Sequence, residues 1–396
     1  MMFRKGSDRH LNSLLHPQVH LLGRVWPSFQ VWGAAGLALA IPLVLMLSKS
    51  LGLSLGVMTA IIPVALVTFF GLAIVTKIIT GEERLTHYHH VIAVLVAVTL
   101  LVWLLRQPVL PYLDVTVLGV GLFVAVGRVG CLMMGCCHGR PHRWGVCYRE
   151  EHTAAGFTPS YVGVRLFPIQ AVESLWVLGV VLLGSRLLLR GQPAGTTLAW
   201  YIVSYATGRF YFEFMRGDAE RPYRWGFSEA QWTSIFLDGM VVLAAWAGLL
   251  PWHVWPAAAS ACLVGTVITV ALVRRSSSGA RYRILRSYHV QEVAEAVEMA
   301  SDRAPEMRLL GGQDSIPVDI CIALTSLGFQ ISAGKIRTET GYIFHYALSS
   351  RNETMSAATA RTLAGIILQL KHHLGPTELI EGHRGVFHLL YTAAEG

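Results

Sequence analysis

Long apolar runs alternate with short polar breaks over the first two thirds of the chain. They lie near 31–47, 52–76, 91–105, 115–134, 169–189, 196–214, 232–250 and 254–273, and a helix crossing a bilayer core needs about 20 such residues. The pattern predicts seven or eight transmembrane helices, the lower number if one segment is half-inserted. Pro251 and the WHVW turn after it predict a tight hairpin between the last two runs. The first run begins after the polar start MMFRKGSDRH and is followed by further spans, so it reads as a retained segment and not as a cleaved signal peptide.

Beyond Val273 the pattern changes. Arg274 and Arg275 mark a charged membrane edge, and Ser276, Ser277, Ser278 and Gly279 read as a flexible linker. Further on, a helix is expected at 289–301, strands at 328–337, 342–349 and 385–391, and a helix from Ser356 to His373 stopped by Gly375 and Pro376. The expected fold is therefore an all-α polytopic membrane protein carrying a C-terminal soluble α+β domain. Its parts are an N-terminal interfacial segment at 1–28, a transmembrane domain at 29–275, a linker at 276–280 and the soluble domain at 281–396. That last domain carries no phosphate loop, paired-cysteine zinc pattern or nucleophile elbow, so its role is not legible.

Composition narrows the classes. Hydrophobic residues make up 53% of the 396 and charged residues only 14%, against about 25% charge in soluble domains; a single water-soluble globule is excluded. Disorder is excluded too, since 11 Trp, 13 Tyr and 15 Phe accompany the aliphatic runs. The net charge of +8 comes from 32 Lys and Arg against 24 Asp and Glu, a balance that in a membrane protein reflects loop topology and anionic headgroups more than nucleic acid. Arg4, Lys5, Arg9 and Arg24, Lys77 with Arg84, Arg140 to Arg165 and Arg216 to Arg224 fall on one side, and the alternate loops hold Lys49, Arg106, Arg186 and Arg190. Counted by the positive-inside rule, both termini and the charged loops are cytoplasmic. Arginines that bind a ligand would distort that count.

Three stretches carry candidate chemistry. In GRVGCLMMGCCHGRPHRWGVCY, Arg128 lies within apolar sequence, where an arginine costs several kcal/mol unless it meets an anion, a carboxylate or water; snorkelling to the headgroups is the alternative. The glycines at 127, 130, 135 and 139 allow close approach and non-helical turns, which at membrane depth occur where a cavity is lined. In YATGRFYFEFMRGD, Tyr205, Arg209, Glu213 and Arg216 share one helix face. That stripe fits either an internal Arg209–Glu213 pair or a lipid-phosphate cavity. In RLFPIQAVES, Glu173 needs a partner such as Arg128 or Arg209. The THYHH segment adds His87, Tyr88, His89 and His90 at the mouth of the third span.

These motifs together resemble the prolipoprotein diacylglyceryl transferase family over roughly residues 15–250. GRVGCLMMGCCHGR is similar to its central signature, matching at Arg128, Gly130, Gly135, Gly139 and Arg140; FPIQAVE is similar to its Pro-x-Gln-x-x-Glu segment, through Pro168, Gln170 and Glu173. YATGRFYFEFMRGD matches the late Tyr, Arg, Glu and Arg motif, SEAQWTS the following element through Gln231 and Ser234, and HPQVHLLGRVWPSFQVWG the N-terminal entry. The resemblance implies a bacterial inner-membrane, multi-pass enzyme that moves a diacylglyceryl group from phosphatidylglycerol to a lipoprotein signal-peptide cysteine, releasing glycerol phosphate. It implies that Arg128 and Arg209 hold the phosphate, that Tyr205, Glu173 and Glu213 orient them, and that His87 is the candidate base. Gly130, Gly139, Arg140, Gln170, Glu173, Arg216, Cys131 and Cys136 are the implied substrate-binding set. The implied active site faces the periplasmic leaflet, against the arginine count.

The chain departs from the family where Cys131 and Cys136 replace an asparagine and a glutamate, and where His87-Tyr88-His89 stands for a His-Gly-Gly element. Cys137, His138, Cys147 and the C-terminal domain have no counterpart in the common plan. No cofactor and no metal are expected, and nucleic acid is not an expected partner. The alternatives left open are a different acceptor, a thiol, redox or metal site at Cys131, Cys136, Cys137, His138 and Cys147, buried cysteines that merely pack, and a lipid-binding anchor for the C-terminal domain.

Overall fold

A computed structural model describes residues 12–21, 23–81, 87–218, 223–276, 283–304, 306–307, 321–338, 341–373 and 375–394. A short hairpin, β1 (Gln18–Leu21) with β2 (Arg24–Pro27), leads into eight helices. These are α1 (Ser28–Ser50), α2 (Leu55–Thr80), α3 (His87–Leu104), α4 (Val109–Met134), α5 (Ile169–Leu189), α6 (Thr196–Phe212), α7 (Glu229–Trp246) and α8 (Val254–Ser276). Five of them are long and apolar enough to cross a membrane: Ser28–Ser50, Leu55–Ile79, Val109–Met134, Ile169–Leu189 and Val254–Arg274. Their outer faces expose large apolar side chains such as Val67, Ile78, Ile79, Leu175 and Leu272, the arrangement expected when the surrounding solvent is hydrocarbon.

α4 is the central post. Val115, Val117 and Leu118 on it are fully buried, and it packs against α1, α3, α5 and α6. A Cβ at Gly121 would fall 2.6 Å from both the Tyr201 ring and Val181, so the small residue lets three helices close up, as small residues do within membranes. Asp114, buried near the start of α4, accepts the Gly195 N–H at 2.7 Å and the Leu198 N–H at 2.6 Å. A carboxylate thereby satisfies orphan donors at the positive end of α6.

Between α4 and α5 runs a long connection with strands β3 (Pro141–Cys147) and β4 (Arg165–Leu166), which pair antiparallel. Strands β5 (Tyr223–Arg224) and β6 (Phe227–Ser228) precede α7. After α8 come α9 (Ser287–Asp302), β7 (Glu306–Met307), β8 (Ile322–Leu324), β9 (Phe329–Thr338), β10 (Gly341–Ser350), α10 (Ala357–Leu370), β11 (Thr377–Glu381) and β12 (Phe387–Ala394). The sheet runs β11-β12-β10-β9, with β8 antiparallel and β7 parallel along the far side of β9. Alternate residues Ile331, Ala333, Tyr346, Leu348, Phe387 and Leu389 are buried, the period-two signature of a half-buried sheet. Their cluster takes in Val293 and Val297 of α9 and Leu363 and Ile367 of α10.

This C-terminal layer also shares its core with the α4–α5 connection. Tyr148, Phe157, Tyr161 and Leu166 belong to the same buried cluster as Val290 and Leu363. His372 accepts the Arg165 N–H at 2.9 Å, and the Ser287 hydroxyl donates to the Arg216 carbonyl at 3.0 Å. The expected C-terminal helices and the three expected strands are all present; β7, β8 and β11 are three more, each of five residues or fewer and too short to stand out in the sequence pattern. Apart from Ser276, the stretch read as a linker lies outside the described residues.

Candidate active site

The two polar stripes read from the sequence meet. Arg128, in the last turns of α4, places Nε 2.7 Å from Oε2 of Glu173, one turn into α5. Arg209, near the end of α6, places Nη1 3.0 Å from the other Glu173 oxygen and 3.0 Å from Oε2 of Glu213. Arg216, fully buried, holds Asp218 through Nε at 2.8 Å and Nη2 at 3.1 Å, and its Nη1 is 3.6 Å from Glu173. Glu173 therefore has the expected arginine partners, both at once, and the internal Arg209–Glu213 pair forms as well. Three guanidinium groups face three carboxylates. Each ion loses several kcal/mol of hydration on burial, and only such mutual pairing makes that tolerable.

Aromatic and hydroxyl groups close one side. The Tyr205 phenol is within hydrogen-bonding reach of Arg128, and its ring meets Tyr88 edge-on at 5.7 Å and stacks on Tyr201 at 5.9 Å. Tyr88 and Ser234 share a hydrogen bond of 2.7 Å. Gln231 forms a reciprocal cap with Ser228 and donates to the Phe210 carbonyl at 3.3 Å.

The backbone frame is drawn from three distant segments. Gly139 forms a bridge with Arg216 and donates its N–H to Phe167 O at 3.0 Å. Arg140 donates its N–H to Met215 O at 3.0 Å, accepts the Phe167 N–H at 3.0 Å, and reaches Arg216 O with Nε at 3.2 Å. A Cβ at Gly139 would stand 2.4 Å from Phe167 O, so only glycine permits this crossing. Gly130 instead faces α1, where a Cβ would lie 3.1 Å from both Phe29 Cα and Trp32 Cβ. Gln170, fully buried, donates to Cys136 O at 2.8 Å. Cys131 is buried at the end of α4, with Cys136 and Cys137 just past the left-handed cap at Gly135.

His87 opens α3, but its side chain lies outside the described residues. Its neighbours diverge. His89 approaches Glu229 at 3.4 Å at the surface, and His90 is buried with its ring 4.9 Å from Phe69. Two residues escaped the reading of the sequence. Asp218 ends the YATGRFYFEFMRGD stretch, and its partnership with Arg216 is not evident from the helical spacing. Asp238, one turn beyond Ser234 on α7, is fully buried, and neither carboxyl oxygen has a hydrogen-bond partner among the described residues. The polar stripe Gln231, Ser234, Asp238 at helical spacing was the available signal.

An apolar groove runs between α1, α2, α3 and α4, lined by Leu37, Val44, Met58, Phe69, Val94 and Phe123 among others. Phe123 stands five residues before Arg128, about 7.5 Å along the α4 axis. The groove thus ends roughly a turn and a half short of the ion cluster.

A family model for prolipoprotein diacylglyceryl transferase matches residues 50–248, half of the 396 residues. The chain belongs to that family. It is 33% identical over 135 residues to phosphatidylglycerol–prolipoprotein diacylglyceryl transferase 2 of Clostridium perfringens, a third of this chain (33%) and 48% of the relative. It is 36% identical over 115 residues to the transferase of Clostridium tetani, covering 28% and 43%. Against transferase 1 of Streptomyces coelicolor the identity is 30% over 139 residues, covering 34% and 38%. The chain thus spans about half the length, or less, of the curated relatives it matches. The family match runs from the end of α1 through α7 and includes every arginine and carboxylate of the ion cluster.

Proposed function

We propose that the chain is a multi-pass enzyme of the bacterial inner membrane that moves a diacylglyceryl group from phosphatidylglycerol to an acceptor thiol, with a lipoprotein signal-peptide cysteine as the acceptor. The observation that carries this reading is the joining of Arg128, Arg209 and Arg216 around Glu173 at the ends of apolar helices. The family membership and the names of the relatives support it. In this reading α3, α6 and α7 also cross the bilayer, making eight spans with the five longest helices.

The chemistry follows from charge. When sulfur attacks the glyceryl carbon, the carbon–oxygen bond breaks and negative charge accumulates on the departing phosphate. Guanidinium forks fixed in a low-dielectric site stabilise that charge without reorganising. Arg128 engages Glu173 through Nε, and a guanidinium carries two further amino groups able to meet phosphate oxygens. Glu173, Glu213 and Asp218 hold the forks in place before the lipid arrives, and the Tyr205 phenol stands beside Arg128 as a further donor. Arg140 and the bridged Gly139 fix the loop over the site, Gln170 fixes Cys136, and His87 supplies the base for the acceptor thiol. The apolar groove between α1 and α4 receives an acyl chain, which sets the headgroup at the depth of Arg128.

Reconstitution in vesicles with labelled phosphatidylglycerol and a lipobox peptide tests the reading. Thioether-linked diacylglyceryl peptide and stoichiometric glycerol phosphate are expected. Release of neither from correctly folded protein overturns it.

A further inference from the structure

Three thiols converge at the edge of the ion cluster. The sulfurs of Cys131, Cys136 and Cys137 all lie within 4.8 Å of one another. They come from one short stretch, yet neighbouring residues in a helix or strand point apart, so a specific fold of the backbone brings them together. α4 ends at Met134, Gly135 turns left-handed at φ 82°, and Cys137 is left-handed as well at φ 57°. A residue other than glycine rarely occupies that region, and non-glycine strain of this kind gathers at functional sites. The fold is pinned on every side. Cys131 O accepts the Gly135 N–H at 3.0 Å, Cys136 O accepts from Gln170 at 2.8 Å, and His138 O accepts the Gly217 N–H at 2.9 Å.

Exposure is graded across the three: Cys131 is buried, Cys137 intermediate and Cys136 exposed. The cluster is closed on one side and open on the other. His138 turns its Nδ1 to Gly139 O at 2.9 Å, and the Cys147 N–H is tied to Asn12. Neither belongs to the group of converging ligand atoms among the described residues. Among the described residues the arrangement therefore offers three soft ligands. Three protein ligands plus one open position is how catalytic zinc is held, whereas structural zinc has four. Simple packing of small apolar side chains explains one buried cysteine, but not three sulfurs gathered within 4.8 Å of one another with one of the residues exposed.

We propose that Cys131, Cys136 and Cys137 bind a thiophilic divalent cation, with zinc as the fitting ion, and that its open position receives the acceptor thiol. The second half of this proposal rests on the transferase reading above. On binding, the three thiols release their protons and the ion is held as a zinc trithiolate of net charge −1. That charge faces Arg128 and Arg216, which are within electrostatic reach of Cys137. The acceptor thiol then gives its proton to His87, the base in the transferase reading, and binds as the fourth thiolate. Its sulfur lone pair forms the carbon–sulfur bond, the carbon–oxygen bond breaks with its electrons going to the phosphate oxygen, and glycerol phosphate departs. The thioether left on sulfur is neutral and a poor zinc ligand, so product dissociates. No electron is gained or lost, in keeping with a redox-inert ion.

The test uses the full chain purified in detergent. Metal analysis after incubation with zinc and desalting is expected to give about one zinc per chain, falling to well below stoichiometric in C136S and in the double variant C136S/C137S. Both variants leave buried Cys131 intact, and circular dichroism and gel filtration verify that they fold. Cobalt in place of zinc is expected to give a sulfur-to-metal charge-transfer band and tetrahedral ligand-field bands that shift when a lipobox peptide is added, and not when its cysteine is replaced by serine. Zinc retained by the cysteine variants, three thiols that stay free in zinc-treated protein, or a disulfide among them by mass spectrometry would each overturn the metal site. Cobalt bands indifferent to the peptide overturn the acceptor seat. Full diacylglyceryl transfer by zinc-free protein overturns the acceptor seat and leaves the transferase reading standing; zinc binding without any transfer overturns the transferase reading and the acceptor seat together and leaves the metal site standing.

Discussion

Arg128 and Glu173 meet at 2.7 Å although they come from different helices separated by the whole α4–α5 connection. The same carboxylate takes Arg209 on its other oxygen at 3.0 Å, so one glutamate joins α4, α5 and α6. Glu173→Ala should destabilise the fold by about 3–5 kcal/mol, because it leaves buried guanidinium groups uncompensated. Glu173→Gln keeps the shape and removes the charge. It should retain the fold better and lose transfer activity, with thermal unfolding and vesicle kinetics separating the two effects.

Arg209 holds Glu173 and Glu213 through one amino nitrogen. Arg209→Lys preserves the charge and discards the fork. The expected loss is roughly a hundredfold to a thousandfold in turnover, the scale for removing one transition-state donor, with little change in unfolding temperature. A variant as active as the parent would show that the fork does not meet the phosphate.

Two glycines of the central signature should respond in opposite ways. At Gly139 a Cβ would press within 2.4 Å of Phe167 O, whereas at Gly127 nothing lies within 4 Å. Gly139→Ala should cost about 1–3 kcal/mol by overpacking and open the bridge to Arg216. Gly127→Ala, within a helix, should be neutral or slightly stabilising. Unfolding midpoints in detergent decide between these outcomes.

Filling the groove tests the seat for the acyl chain. Val94 lines it and is buried. Val94→Trp should reduce transfer from long-chain phosphatidylglycerol more than from a short-chain analogue, read as a change in the ratio of kcat/KM values. An unchanged ratio would place the chain elsewhere.

The C-terminal layer should be weakened by acid. His345 and His388 share a hydrogen bond of 2.9 Å between ring nitrogens, a geometry that only neutral or singly protonated rings can keep. Burial, with the neighbouring His388 adding to it, holds His345 below its ordinary 6.5. Its native state thus refuses a proton that the unfolded chain accepts below that value. The contribution to stability is present above about pH 6.5 and is lost as the pH falls through the lowered native value. Thermal unfolding followed from neutrality into mild acid should show a falling midpoint, and His345→Gln should flatten the fall.

Much of the architecture was present in the one-dimensional pattern, because hydrophobic periodicity is a local property. A run of apolar residues must become a helix in hydrocarbon wherever its neighbours lie, and alternation along 329–338 and 341–350 makes strands by the same local rule. The stripe Tyr205, Arg209, Glu213 and Arg216 was legible only in part. Helical spacing puts Tyr205 and Arg209 on one face of α6, but the helix ends at Phe212, Glu213 opens a 3-10 turn and Arg216 is extended backbone beyond it. Arg216 thus joins the cluster through the tertiary fold and not through a shared helix face. Tertiary structure decided the pairings: that Glu173 serves two arginines, that Asp218 clamps Arg216, that Asp114 caps α6 from another helix, and that the C-terminal sheet shares a core with the α4–α5 connection. Apart from the Arg216–Asp218 clamp, whose partners are two positions apart, each of these joins residues tens to hundreds of positions apart, and sequence spacing carries no information about which buried charge will meet which. Even the three cysteines were visible only as neighbours in a string; their convergence depends on two left-handed turns, at Gly135 and Cys137, that surrounding hydrogen bonds impose.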